Sequence, residues 1–243
     1  MSIADEIEQM CKPQFETVYL KTKQFFQNDP PRDKLLQWMR LRTWAEGLAA
    51  VFMSRALERA LVPLTLRGDF DILEALNKQS WDEVRHARYF SHFITQELGE
   101  QLETYDKKYC PDKPSLDAYY EEANRLADQG NLVQLHAGNM LVGEGRVYWM
   151  IKGMADGCEQ GQLYPTLVRI GKIIERDEIF HINNGRRVLA RYANDEEGRK
   201  KALLGAKHYF DRVSPTSQGE TVPRSDASTR DFVGRIGKTR KKV

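Results

Sequence analysis

No stretch of this chain is apolar for the roughly 18 residues that a membrane-crossing helix needs, so a bilayer span is not expected. Cysteine is scarce as well. Cys11, Cys110 and Cys158 lie far apart and form no CxxC pair. That spacing excludes a disulfide framework and a zinc knuckle, and it suits a reducing compartment. Neither sign of charge dominates, with 37 Lys and Arg against 35 Asp and Glu. The chain as a whole therefore carries no electrostatic instruction to seek nucleic acid or lipid. The first residues, Met-Ser-Ile-Ala-Asp-Glu-Ile-Glu, are acidic and lack the apolar core of a secretory signal, so the expected location is cytoplasmic. Strand-like alternation is rare, and no flavin, nicotinamide or iron–sulfur motif is visible.

What the chain does have is apolar residues at three- and four-residue spacing over long stretches. The pattern predicts helices over about 3–27, 33–61, 70–105, 115–128, 131–157, 162–192 and 195–211. The breaks are Asn28-Asp29-Pro30-Pro31, Pro63, Gly68, the Cys110–Pro114 loop, Gly130 and the span from Gly157 to Gly161. An apolar share of 41% suits a protein with a substantial core. The expected fold is all-α, with residues 1–213 as one helical-bundle domain. Residues 214–243 are expected to be a basic, disordered tail, because they are poor in apolar residues and carry seven Lys or Arg against two Asp from Arg224 onward. Nucleic acid, anionic lipid or an acidic redox partner could be reached only through this tail.

The chain also echoes itself. Asp82-Glu83-Val84-Arg85-His86 and Asp177-Glu178-Ile179-Phe180-His181 both read Asp-Glu-x-x-His. On a helix, residues three apart lie on one face, so each Glu and His can aim an oxygen and a nitrogen at one point. Each pair follows, at a distance near 35 residues, a Glu set in an otherwise apolar stretch: Glu46 and Glu144. That spacing fits two antiparallel helices joined by a short turn.

The periodicity places the motifs on inward stripes. Leu167, Ile170, Ile174, Glu178, His181 and Gly185 share one; Leu76, Glu83, His86, Phe90 and Phe93 share another. A carboxylate on a buried stripe is costly unless paired or metal-bound. Two ferrous ions would balance four carboxylates, and oxygen with imidazole donors suits iron or manganese. The absence of thiolates disfavours structural zinc. The candidate metal ligands and catalytic residues are Glu46, Glu83, His86, Glu144, Glu178 and His181. One such motif alone is a weak signal. Two, each with a partner Glu, form the ligand pattern of dimetal carboxylate bundles.

At these residues the sequence resembles the ferritin-like di-iron carboxylate superfamily. Asp82–His86 and Leu141-Val142-Gly143-Glu144 are most similar in style to hydroxylase subunits of bacterial multicomponent monooxygenases, and also to ribonucleotide reductase small subunits and their oxidase-like relatives. The resemblance spans about residues 33–192. It implies a ferritin-like four-helix bundle with additional N- and C-terminal helices. It also implies that Asp82 braces His181 and that Asp177 braces His86. The chain departs from the family at several positions. Tyr148 stands where a Thr often follows the third carboxylate, Phe180 stands where an Arg would echo Arg85, and Phe90 occupies the position of the reductase radical tyrosine.

The expected function is that of a non-haem di-iron oxygenase, a monooxygenase or oxidase that uses dioxygen to hydroxylate or oxidise a small organic substrate. A Mn/Fe pair is the alternative cofactor. Electrons would come from an external ferredoxin or reductase, and the expected assembly is a homodimer. The other readings are a radical-generating subunit, a ferroxidase-like metal-oxidising protein and a tRNA-modifying di-iron hydroxylase. Gly47, Gly143 and Gly145 beside the ligands leave room for substrate or for close helix packing. Trp44, Tyr148 and Trp149 are pocket or core aromatics, and His136 is expected to be a structural histidine.

Overall fold

In the computed structural model of the protein, residues 1–129 and 131–213 are described; Gly130 and the whole basic tail fall outside them. Among the described residues the chain is all-α. No described helix is long and apolar enough to cross a membrane. Helix α1 (Ile3–Gln27) opens with a capping box: Ser2 Oγ accepts from the Asp5 amide, and the Asp5 carboxylate accepts from the Ser2 amide. Two orphan donors are satisfied at once. Helices α2 (Arg32–Arg67) and α3 (Phe70–His92) form an antiparallel pair joined at Gly68, whose φ of 75° allows a left-handed C-cap.

α2 outruns the expected stop at Pro63 by a full turn. Pro63 stands on the exposed face, where a freed carbonyl can be hydrated, and buried Leu64 anchors the turn beyond it. α3, by contrast, stops short of the expected residue 105. It continues only through a π-helical turn, Phe93–Glu97, after which Gly99 turns left-handed at φ 64°. The Arg32 guanidinium ties this end down, donating to the Leu98 carbonyl and to the Glu100 carboxylate 3.0 Å away. The chain then runs irregularly to α4 (Lys113–Asp128).

The next helix is continuous but not uniform. A single turn, α5 (Leu132–Leu135), leads into a π-helical stretch, His136–Gly143, and then into α6 (Glu144–Gly161). Gly157 and Gly161 lie inside α6 and do not break it; the chain turns only at Gln162 and Tyr164, both at positive φ. These two glycines let α6 approach α1, since a Cβ on Gly157 would lie 2.5 Å from the Lys23 carbonyl. Helix α7 (Pro165–Tyr192) packs back on α6 and also touches α3, and α8 (Glu196–Val213) covers the π-helical stretch. All eight π-helical residues are buried. His136 donates from Nδ1 to the Leu132 carbonyl at 2.8 Å, and burial pushes its pKa down to about 4, as for a structural histidine held neutral.

The fit between α8 and the π-helical stretch depends on Gly138. A Cβ there would lie 2.2 Å from the buried Tyr209 ring. Gly138→Ala is expected to destabilise the protein by about 1–3 kcal/mol, read as a lower urea midpoint with an unchanged slope; an unaltered midpoint would show that Tyr209 can move aside.

Candidate metal centre

Helix α2 carries Glu46, α3 carries Asp82, Glu83 and His86, α6 begins with Glu144, and α7 carries Asp177, Glu178 and His181. The apolar stripes on α3 and α7 turn their motifs inward, because each helix buries the face on which its Glu and His lie three apart. All six candidate ligands meet inside the protein. Glu83, His86, Glu178 and His181 are 1% exposed or less, and Glu46 and Glu144 are 4% and 6% exposed.

The arrangement is near two-fold. His86 Nδ1 lies 3.6 Å from Glu83 Oε2 and 3.7 Å from Glu178 Oε1. His181 Nδ1 lies 3.6 Å from Glu83 Oε1 and 3.2 Å from Glu178 Oε2. Each of these carboxylates thus offers one oxygen to each imidazole. Glu46 stands on the His86 side, 4.0 Å from Nδ1. Glu144 joins Glu83 and His181 in the second donor cluster, as Glu46 joins Glu83 and His86 in the first. Donors about 2.1 Å from one ion at right or tetrahedral angles lie roughly 3.0–3.5 Å apart, close to the spacing here. Glu46 Oε1, Glu83 Oε1, Glu178 Oε1 and His86 Nδ1 are buried without a hydrogen-bond partner. Such atoms are costly to bury, and two cations would satisfy them, so the donor set fits a dimetal site.

The outer nitrogens of the imidazoles are held crosswise. His86 Nε2 lies 3.2 Å from Asp177 Oδ2, and His181 Nε2 lies 3.3 Å from Asp82 Oδ2. A carboxylate that accepts from Nε2–H leaves the Nδ1 lone pair facing the site. Both aspartates are in turn clamped by cations from α3. Arg85 reaches Asp177 at 2.7 Å and Asp82 at 3.2 Å, and Lys78 pairs with both. Burial raises the Asp177 pKa, but His86, Arg85 and Lys78 outweigh it and bring it to about 2. Phe180, where the echo of Arg85 fails, instead faces Lys78 Nζ with its ring 4.5 Å away. One Arg on α3 serves both aspartates.

Gln79 and Asn139 join the centre beside the six candidate ligands. Gln79 Nε2 donates to Glu144 Oε1 at 2.8 Å, and Asn139 Nδ2 donates to the same oxygen at 3.1 Å. Gln79 lies one turn before Glu83 on the same face, a signal open to reading. Asn139 lies five residues before Glu144, and only π-helical geometry brings it there. A cavity of about 60 Å³ adjoins the centre on the Glu46 and Glu144 side, between α2, α4 and α6. Tyr119 and Tyr120 of α4 line it; their hydroxyls donate to Asn139 Oδ1 and to the Ala45 carbonyl. Trp44, Tyr148 and Trp149 do not line this cavity. Trp44 packs on Tyr105, and Tyr148 packs on Trp149. Gly143 and Gly145 admit neighbours, the Tyr119 hydroxyl and the Phe15 ring, whereas Gly47 faces open space.

The charges are crowded. Burial raises Glu46 to about 8, with repulsion from Glu83 adding to it. Burial likewise raises Glu144 and Glu178 well above the ordinary range. Glu83 is lowered: burial opposes ionisation there, but the two imidazoles outweigh it. His86 is raised well above its usual value, because Asp177 and Glu83 overcome the opposing effect of burial.

No protein-family model matches the chain, and neither does any curated protein or solved structure.

A carboxyl group with a raised pKa supports the fold most fully when protonated. Its contribution is whole below about pH 4.5 and is lost as pH rises through about 8. In excess chelator, Glu46→Gln should therefore melt higher than the parent chain at pH 8, with the gap closing toward pH 5. A lower melting temperature at pH 8 would mean that Glu46 is paired better than its surroundings indicate.

Proposed function

We propose that this centre holds two iron ions and that the protein is a dioxygen-dependent oxidoreductase acting on a small organic molecule. The carrying observation is that Glu83 and Glu178 each span both imidazoles, with Glu46 and Glu144 one to each side. The resemblance at the two Asp-Glu-x-x-His motifs supports the same reading and its ferritin-like character, and a Mn/Fe pair remains the alternative. When bound, such ions supply dioxygen activation and electron transfer, which these side chains do not.

The chain's own part can be derived. Glu46, Glu83 and His86 would hold one ion, and Glu83, Glu144 and His181 the other, with Glu178 reaching both. Asp177 and Asp82 keep each imidazole in the tautomer whose Nδ1 lone pair faces inward. Arg85 and Lys78 pair with those aspartates on the outer side and offset their charge. Gln79 and Asn139 fix one oxygen of Glu144 by donating to it. Burial of the whole set excludes bulk water. The cavity beyond Glu46 and Glu144 is where a substrate would sit. Reducing equivalents would come from a separate ferredoxin or reductase, and a homodimer is the assembly we propose. Phe90 is buried beside Trp38 and has no phenol to carry a radical, which weighs against the radical-generating reading.

One observation favours a second reading, a ferroxidase-like protein: the cavity is small and partly polar. The same experiments separate the two. After anaerobic Fe(II) loading and gel filtration, the parent chain should retain two iron ions per chain, Glu46→Ala about one, and Glu83→Ala fewer than one. Equal losses in the two variants would sink the shared-carboxylate geometry. With a chemical reductant present, an oxygenase or oxidase should keep consuming dioxygen at constant iron. A ferroxidase should stop after one oxidation of its iron and resume only with added Fe(II). Glu178→Ala should lower the initial rate on an oxygen electrode at least tenfold; an unchanged rate would remove the centre from the chemistry.

A further inference from the structure

The cavity beside the centre is lined by two buried arginines that no ion pair ties to a described residue. Arg42, one turn before Glu46 on α2, is 7% exposed, and Arg146, two residues after Glu144 on α6, is 5% exposed. Both line the cavity. Nε and Nη2 of Arg146 are buried with no hydrogen-bond partner. No ion pair joins either arginine to a described residue, although Asp112 also lines the cavity. The Arg42 guanidinium lies 5.9 Å from the Trp38 ring, and its charge opposes the rise that burial gives the Glu46 pKa.

Other buried charges here are handled differently. Glu122 is paired with Arg125 and His208, and Asp82 with Lys78, Arg85 and His181. A buried guanidinium without a hydrogen-bond partner is costly, so Arg146, with Arg42 on the same cavity, marks the place of an anion. Guanidinium is the planar fork that matches a carboxylate with two parallel hydrogen bonds. Part of the remaining wall is apolar, formed by Leu41, Ala45, Ala49, Leu116 and Val147. A fully charged inorganic anion gains nothing from such a wall, whereas a short carbon chain does. A space of about 60 Å³ has room for roughly four to six water-sized atoms.

We infer that this cavity recognises a small monocarboxylic acid, with Arg146 and Arg42 holding its carboxylate and its short carbon chain lying toward Glu46 and Glu144. The inference rests on the oxidoreductase reading for its purpose, since it names the substrate class of that centre, but binding can be measured without metal. The probes are acetate, propionate and isobutyrate, with propionamide and inorganic phosphate as controls. They are titrated calorimetrically into the full chain, both chelator-treated and Fe(II)-loaded.

Propionate should bind both forms, and propionamide and phosphate should bind at least tenfold more weakly. Arg146→Gln should weaken propionate at least tenfold while retaining the parent's helical circular dichroism and iron content, and Arg42→Gln should act in the same direction. If Arg146→Gln does not fold, Arg42→Gln together with Arg146→Lys carries the test, the lysine variant being expected to keep part of the affinity. Equal binding of the amide, or phosphate binding as tight as propionate, would overturn the proposal. So would undiminished propionate binding to the glutamine variants. If those variants instead bind iron more tightly and leave propionate untouched, the arginines serve only to balance Glu46 and Glu144. Propionate binding to a chain that retains no iron would leave the pocket standing and remove the dimetal reading; iron binding without propionate would do the reverse.

Discussion

Four carboxylates meet in one enclosed space, and the rest of the molecule is arranged around that fact. Each ion moved out of water costs several kcal/mol even after the surroundings relax. Like charges a few ångströms apart add repulsion that the interior does not screen. Glu46, Glu144 and Glu178 accordingly hold their protons far more strongly than ordinary glutamates, while Glu83 ionises against two imidazoles. Glu46 Oε1, Glu83 Oε1 and Glu178 Oε1 are nevertheless buried without a hydrogen-bond partner. The fold keeps this arrangement through its apolar surroundings, which are contributed by every helix that carries a ligand.

The two sides of the centre are built differently. Toward α3 and α7, each imidazole is backed by an aspartate, and each aspartate by Lys78 and Arg85, so that side is a connected network of charged pairs. Such a network fixes ring orientation and resists rearrangement. Toward α2 and α6, the backing is looser. Glu46 has an unpartnered oxygen, Glu144 is held by two neutral amides, and a cavity roofed by α4 lies beyond. The open space beside the centre lies on this second side. Gly47, which faces open space next to Glu46, adds freedom there.

The π-helical stretch links the site to the fold. Its wider turn brings Asn139 into reach of Glu144 and presents Gly138 to the Tyr209 ring. π-helical segments recur at functional sites because the strain of the extra residue is retained only where it positions something. Tyr119 meets Asn139 from α4 and packs edge-on against Tyr209 from α8. The cavity wall and the C-terminal helix are thus mechanically continuous with the Glu144 side of the centre.

The chain by itself determined the helical class, most helix starts and the facing of the ligand-bearing stripes. A three-residue spacing on a 3.6-residue helix puts Glu83 with His86, and Glu178 with His181, on one face, and the flanking leucines, isoleucines and phenylalanines say that the face is buried. Helix ends were less legible. The stop after α3 depends on Arg32, sixty-odd residues upstream, reaching the Leu98 carbonyl, and the extension of α2 past Pro63 depends on Leu64 finding a buried place. Neither is a local property. Only the tertiary structure decided that Gln79 and Asn139 share one oxygen of Glu144, and that Arg85 serves two aspartates. It also decided that Arg42 and Arg146, from separate helices, line the same cavity. These depend on how helices are rotated and offset against one another, and a one-dimensional pattern records which face of a helix is buried but not what it is buried against.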